Sequence, residues 1–417
     1  MEFNKFKLKE LLQVNPRMTL KKGSKAKKIA MENIKEFQKK IDNFTIEEFK
    51  SGSKFQNGDT LLARITPCLE NGKTAYVDIL EDDEIAFGST EFFVLRPIDN
   101  KLDSQFLYYL FRTKKVREII IKSMTGTSGR QRAQKDSILE YKCEVPTIEY
   151  QRKIAIILKN LDDKIEINKK IIANLEELSQ TLFKHWFVDF EFPAEDGNPY
   201  KSSGGEMIDS ELEKIPKGWI VKSLDEIANY INGLAMQKYP ANKEESLPIV
   251  KIKELKNGFT DENSNRCTTE IPEKAKIDNG DIIFSWSATL LVKMWAGGKA
   301  GLNQHLFKVT SETFPKWFYY LWTKRYIEYF INIANDKATT MGHINRKHLS
   351  HAKIVLPTQL QLENFDKIFH NFLEKQLNTE EEIKRLIELR DTLLPKLMSG
   401  ELEIPDDIEV NSDELSI

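Results

Sequence analysis

Two stretches of this chain place apolar residues in alternating steps of four and three. The first begins after Pro146 and runs through Ile154, Leu158, Leu161, Ile165, Asn168, Ile172, Leu175, Ser179, Leu182 and Trp186. The second begins after Pro357 and runs through Phe365, Phe369, Phe372, Gln376, Thr379, Ile383, Leu386, Arg390, Leu393 and Leu397. That spacing keeps one stripe of a helix against a partner, and the prolines mark helix starts. The pattern predicts long helices over 147–190 and 358–400 whose seams pack together as an antiparallel coiled coil, with Asn168 and Gln376 as buried polar residues that set register. About 38 residues at about 1.5 Å each make a rod of roughly 57 Å.

Ahead of each helix the pattern shortens to strand-length apolar runs punctuated by Gly, Asn and Pro, such as Asp59 to Ile65, Glu91 to Leu95, Asp281 to Phe284 and Leu306 to Val309. A helical segment around Phe106 to Lys122, mirrored near Lys316 to Ile333, makes each region mixed. The two regions are copies. Tyr108-Tyr109-Leu110 matches Tyr319-Tyr320-Leu321, Val145-Pro146 matches Leu356-Pro357, and Leu175 to Leu178 matches Leu386 to Leu389, each at an offset of 211. Asn57-Gly58-Asp59 matches Asn279-Gly280-Asp281, and Gly88 matches Gly301, with small drift. The predicted class is α+β: two mixed domains in a pseudo-twofold arrangement, 1–146 and 215–357, joined by the helices. Residues 191–214, rich in Gly, Pro, Ser and acids, read as a linker, and 401–417 as an acidic tail.

A length of 417 residues suits two cores. Charged residues make up 30% of the chain yet the net charge is only -2, so a nucleic-acid role requires local basic clusters. Cys68, Cys143 and Cys267 form no CxxC pair, which suits a reducing cytoplasm. The basic N-terminal segment has no apolar core, and no apolar run is long enough to span a bilayer, so a soluble, cytoplasmic protein is expected.

The spacings that would mark a catalytic site are incomplete in this chain. Gly297-Gly298-Lys299 lacks the spacing and the Ser or Thr of a phosphate loop, and Gly197-Asn198-Pro199-Tyr200 lacks the second proline of the amino-methyltransferase loop it superficially matches. His343, His348 and His351 lack the companions of a metal set, so no metal or catalytic residue is assigned. Both halves instead carry side chains suited to phosphates and base edges. The first offers Lys21, Lys22, Lys25, Lys27 and Lys28, then Arg64, Lys73, Ser89 and Thr90, and the loop Thr127, Ser128, Arg130, Gln131 and Arg132. The second offers Ser285, Trp286, Lys293, Asn303, Gln304 and His305, then Thr339, Thr340, His343, Asn345 and Arg346.

Over nearly its whole length the chain resembles the specificity subunit of type I restriction-modification systems. Ala63 to Ala75 with Gly88 to Pro97 is similar to the family's first recognition domain, and Phe284 to Ala288 with Gly301 to Val309 to the form found in the second. Pro146-Thr-Ile-Glu-Tyr-Gln151 and Pro357-Thr-Gln-Leu-Gln361 are similar to the turns that precede its long helices. The resemblance implies a non-catalytic subunit whose two domains each read half of a split target in double-stranded DNA, while the helices set the gap. It also implies two methyltransferase subunits docked on the helices and restriction subunits in the full complex, with S-adenosylmethionine, ATP and Mg on those partners and no cofactor on this chain. The domains differ in sequence, so an asymmetric target is expected. Two other readings compete: a coiled-coil scaffold that never touches DNA, and a stand-alone DNA-modifying enzyme.

Overall fold

The computed structural model describes residues 3–242, 245–336 and 344–405. It divides into two compact units, one made of Met1–Glu166 and Leu386–Ile417, the other of Ile167–Arg385.

The first unit holds two four-stranded sheets. One has the antiparallel order Leu12–Val14, Phe92–Pro97, Thr60–Ala63, Thr74–Tyr76. The other runs Thr45–Glu48, Lys25–Ile29, Ala86–Gly88, Ser53–Phe55, with a parallel pair at its centre. Phe3–Lys7 pairs antiparallel with Lys142–Pro146, bringing the start of the chain to the strand that feeds the long helix.

In the second unit the same two orders recur. One sheet runs Asn229–Asn232, Leu306–Thr310, Ile282–Ser285, Leu291–Met294, and the other Arg266–Cys267, Leu247–Val250, Ala300–Leu302, Lys276–Ile277, again with one parallel pair at the centre. Ile220–Ser223 pairs with Lys353–Leu356 ahead of the second long helix. The class is therefore α+β, and the duplication read from the sequence is a duplication of strand order.

The recurring motifs have local causes. In Asn57-Gly58-Asp59 the glycine takes φ +85°, and Gly280 of the second copy takes +84°, a conformation that disfavours any Cβ. The aspartate after each closes its turn: Asp59 accepts from the Gln56 amide at 2.9 Å, and Asp281 from the Asp278 amide at 2.9 Å. Each then anchors the central strand beside it, Asp59 through Arg96 at 2.7 Å and Asp281 through Lys308 at 2.8 Å. Gly88 recurs as Gly301 because a Cβ at Gly88 would lie 2.3 Å from the Ile29 carbonyl oxygen, and one at Gly301 2.8 Å from the Cys267 Sγ.

The helical segment before each long helix is interrupted. Helices Ser104–Arg112 and Lys114–Lys122 meet at Thr113, whose ψ of 141° breaks the first, and Lys316–Arg325 gives way to Ile327–Asp336 at Tyr326. Tyr108, Tyr109 and their counterparts Tyr319 and Tyr320 are buried.

The long helices are Ile148–Phe187 and Gln359–Ser399. Every seam position named above is buried or half-buried. In the first unit Ile154 and Leu158 share a core with Leu394 and Leu397. In the second, Phe183 meets Phe369 and Phe187 meets Phe365, with ring centroids 6.1 and 5.6 Å apart. Rising numbers on one helix meet falling numbers on the other, so the pairing there is antiparallel.

The segment expected to be a linker is folded. Phe192 stacks between Tyr200 and Trp219 at 4.7 and 4.9 Å, and Met207–Ser210 with Glu213–Pro216 forms a hairpin. Burying three aromatic rings outweighs the turn-forming composition of the residues between them. Residues 406–417 of the expected acidic tail lie outside the described residues.

Candidate nucleic-acid interface

In the first unit Lys21, Lys22 and Lys25 are exposed, and no carboxylate among the described residues pairs with them. A turn presents the first two: Gly23 takes φ +85° and the Ser24 hydroxyl donates to the Lys21 carbonyl at 2.6 Å. Lys27 and Lys28 are spent nearby, on Glu84 at 2.8 Å and Glu47 at 3.0 Å.

Loop 125–132 folds back on Arg64 and its neighbours: the Thr66 amide donates to the Gln131 carbonyl and the Ala133 amide to the Arg64 carbonyl, at 3.0 and 2.8 Å. This leaves Thr127, Ser128 and Arg130 exposed and Gln131 half-buried. Arg132 instead lies on Glu91 through contacts of 2.7 to 3.0 Å, and Arg64 Nε reaches the same carboxylate at 3.3 Å. The Arg132 hydrogen bonds hold the Glu91 carboxyl below its usual range. Lys73 is a tether, donating to the Met31 carbonyl at 2.9 Å. Ser89 and Thr90 line an open groove whose walls mix Lys28 and Lys50 with Glu32, Glu47 and Glu48; Ser89 also accepts from the Glu91 amide.

In the second unit Trp286, His305 and Gln304 come together. The Trp286 and His305 rings lie 6.0 Å apart, the Ser287 hydroxyl is 3.3 Å from His305 Nδ1, and the Gln304 amide is 3.4 Å from its Nε2. Gln304 and His305 are exposed. Asn303 braces that turn by accepting from the His305 amide at 3.2 Å. Ser285 corrects the sequence reading: it is fully buried, and its hydroxyl donates to the Ser287 carbonyl. The strand Ile282–Ser285 is buried on both faces, so alternation did not betray the serine's position. Lys293 is half-buried, its charge acting on the Glu380 carboxyl. Asn345 caps Arg346–His351 by accepting from the Lys347 amide at 3.0 Å, which leaves Arg346 exposed, 3.4 Å from the Tyr230 carbonyl. Thr339, Thr340 and His343 lie outside the described residues. Among the described residues no group of three His, Cys, Asp or Glu is placed to hold a metal ion, and no helix is long and apolar enough to cross a membrane.

Sequence reasoning missed Glu91, which organises two of the candidate arginines, and the partners of the polar seam residue Arg390. A lone acid in a strand-rich segment carries no signal of its role. Arg390 on an apolar stripe did carry one, since a charge there needs a buried partner.

A family model described as the type I restriction modification DNA specificity domain matches residues 1–177 and again 216–389. The chain belongs to that family. The two matched segments are the two copies of the repeat, and as a member the chain is a DNA specificity subunit of a type I restriction-modification system. Among relatives of the family, the type I restriction enzyme MjaIX specificity subunit of Methanocaldococcus jannaschii is 30% identical over 308 residues, covering 72% of this chain and 69% of its own. The HindI specificity subunit of Haemophilus influenzae is 27% identical over 409 residues, covering 83% and 87%. The crystal structure of a type I S subunit from M. genitalium has the same fold, with a TM-score of 0.50 at 17% identity, covering 95% of this chain and 96% of that one.

Proposed function

We propose that each unit reads one half of an asymmetric, two-part duplex target, that the long helices set the spacing between the halves, and that the chemistry belongs to partner subunits. One observation carries this reading: the same strand order and the same Tyr-Tyr-Leu helix occur twice on one chain, while the polar loops differ. A repeated scaffold supplies two readers, and unlike loops supply two texts. The first unit is richer in phosphate contacts, with Lys21, Lys22, Lys25 and Arg130 exposed, and the second in base-reading groups, with Gln304, His305 and Arg346.

Exposed apolar side chains on the long helices suit the docking of methyltransferase subunits: Ile167 and Leu178 on the first helix, and Leu360, Ile368 and Leu389 on the second. In this reading those subunits hold S-adenosylmethionine and flip an adenine in each half-site, restriction subunits supply ATP- and Mg-dependent steps, and this chain works in the cytoplasm as a non-catalytic reader.

Methylome sequencing of the host with and without this chain tests the proposal. A bipartite adenine motif that disappears on deletion is the expected result. Persistence of every adenine motif, or methyl transfer by the purified chain alone, would overturn it.

A further inference from the structure

In the first unit the second tyrosine of Tyr-Tyr-Leu ends on the helix seam. The Tyr109 hydroxyl donates to Asp162 Oδ2 at 2.7 Å, and Arg390 donates to Asp162 Oδ1 at 2.7 Å. All three residues are buried, with Asp162 and Arg390 only 5% and 6% exposed. Lys39 closes the cluster, 3.4 Å from the Tyr109 hydroxyl and over the rings of Tyr76, Tyr108 and Tyr109 at 5.1 to 5.7 Å. One carboxylate thus ties the recognition sheets, through Tyr109, to both long helices.

The second unit has a polar break too, built differently. Gln376 donates to Glu176 and Glu380, each at 3.1 Å, and Lys324 lies 3.4 Å from both Glu176 and the Tyr320 hydroxyl. Applying the offset of 211, Asp162 corresponds to Leu373, Arg390 to Ser179, Gln376 to Ile165 and Glu176 to Ile387. Neither key would fit the other half. A helix slip of one turn would set Asp162 or Arg390 against apolar neighbours and leave a charge buried without its partner, which is strongly unfavourable. Buried polar seam residues fix register in this way at the expense of stability.

We propose that Tyr109, Asp162 and Arg390 are positioning residues: they lock the register of the helix pair and the seat of the first recognition sheets, and so fix the target spacing that the complex accepts. The inference rests on the proposed reading of a split target. Its test uses the chain assembled with its methyltransferase subunits and measures methyl transfer to three duplexes. These carry the motif read from the methylome with its native spacer, or with one base pair added or removed.

The variant D162L/R390L replaces the pair by apolar side chains that a seam accommodates. Its expected behaviour is a near-normal rate on the native spacer and a fall of about tenfold in the preference for that spacer, as befits one lost register-fixing contact. Tyr109→Phe and Arg390→Lys, which keep the packing and weaken the contacts to Asp162 along with the longer one from Lys39 and the one to the half-exposed Asp391, should show a smaller fall in the same direction. A purely structural role would lower the rate on all three duplexes alike. An unchanged preference in D162L/R390L overturns the inference, and if that variant fails to assemble, an unchanged preference in both milder variants does so. A wild-type complex that methylates none of the three strikes at the split-target reading instead.

Discussion

Arg132 and Glu91, 41 residues apart in sequence, face each other through a fork of hydrogen bonds, with the shortest at 2.7 Å. Arg64 leans on the same carboxylate, so one acid restrains two of the cations nearest the exposed loop 125–132. Glu91→Gln should release both guanidinium groups toward phosphate. Binding of the assembled complex to random-sequence duplex should tighten, and the slope of log affinity against log salt should steepen by roughly 1 to 2. A salt titration by fluorescence anisotropy checks this, and an unchanged slope would mean that neither arginine reaches DNA.

Among the described residues no carboxylate restrains Arg130, which stands exposed beside Thr127 and Ser128. Arg130→Ala should weaken binding to specific and random duplexes by similar factors and flatten the salt slope by about 0.9, as expected for one lost phosphate contact. Loss of discrimination at a single base pair would instead make Arg130 a base reader.

Removing Asp162 leaves the buried Arg390 with only the half-exposed Asp391 carboxylate, 2.8 Å away, as a charged partner. Asp162→Ala should destabilise the first unit by about 3 to 5 kcal/mol, seen as a lower denaturant midpoint for a probe placed in that unit. Burial alone would raise the Asp162 carboxyl, but Arg390, Lys39, Arg112 and the Tyr109 hydrogen bond together hold it below the usual range. Its contribution is therefore present at neutral pH and lost as the pH falls through that depressed value.

Lys39 titrates in the opposite sense. Burial lowers its ammonium to about 8 from 10.5, against the pull of Asp162, Asp163 and Asp78 and with a small push from Lys159. Between those two values the unfolded chain binds the proton that the folded chain has released, so stability should rise from about pH 8 toward pH 10. Above that, Tyr76 and Tyr108, both raised to about 12 by burial, keep protons that the unfolded chain loses, and the trend reverses. Denaturant midpoints of the first unit across this range should show the rise in the wild-type chain and a flatter profile in Lys39→Met.

Exchange of residues 1–146 for the equivalent segment of another family member should change one half-site only. Methylome comparison reads the outcome directly. The hybrid should assemble best when the incoming segment presents a hydroxyl donor at the position of Tyr109, because Asp162 and Arg390 stay behind on the helices.

The duplication was legible because the chemistry behind each anchor is local: a left-handed glycine, an aspartate closing its turn, a buried pair of tyrosines. The long helices were legible for the same reason, since a stripe of period 3.5 has one economical solution. What escaped depended on long-range partners. Ser285 sits in a strand buried on both faces, so its neighbours offer no alternation to mark it as internal. Arg64 and Arg132 read as free cations because Glu91 lies 27 and 41 residues from them in sequence. The stretch 191–214 was read by its glycines and prolines, whereas Phe192 and Tyr200 decide its fate by stacking with Trp219.

The first unit closes only when the end of the chain returns to it. Leu394, Leu397 and Ile404 fill its core, the Ile404 amide donates to the Tyr150 hydroxyl at 2.7 Å, and Arg390 answers Asp162. During synthesis from the N-terminus, the second unit has all of its residues before the first does. The half translated earliest waits with a carboxylate and an apolar groove unmet, so a chain cut off between residues 385 and 390 would hold every residue of the later half while its earlier half stays open.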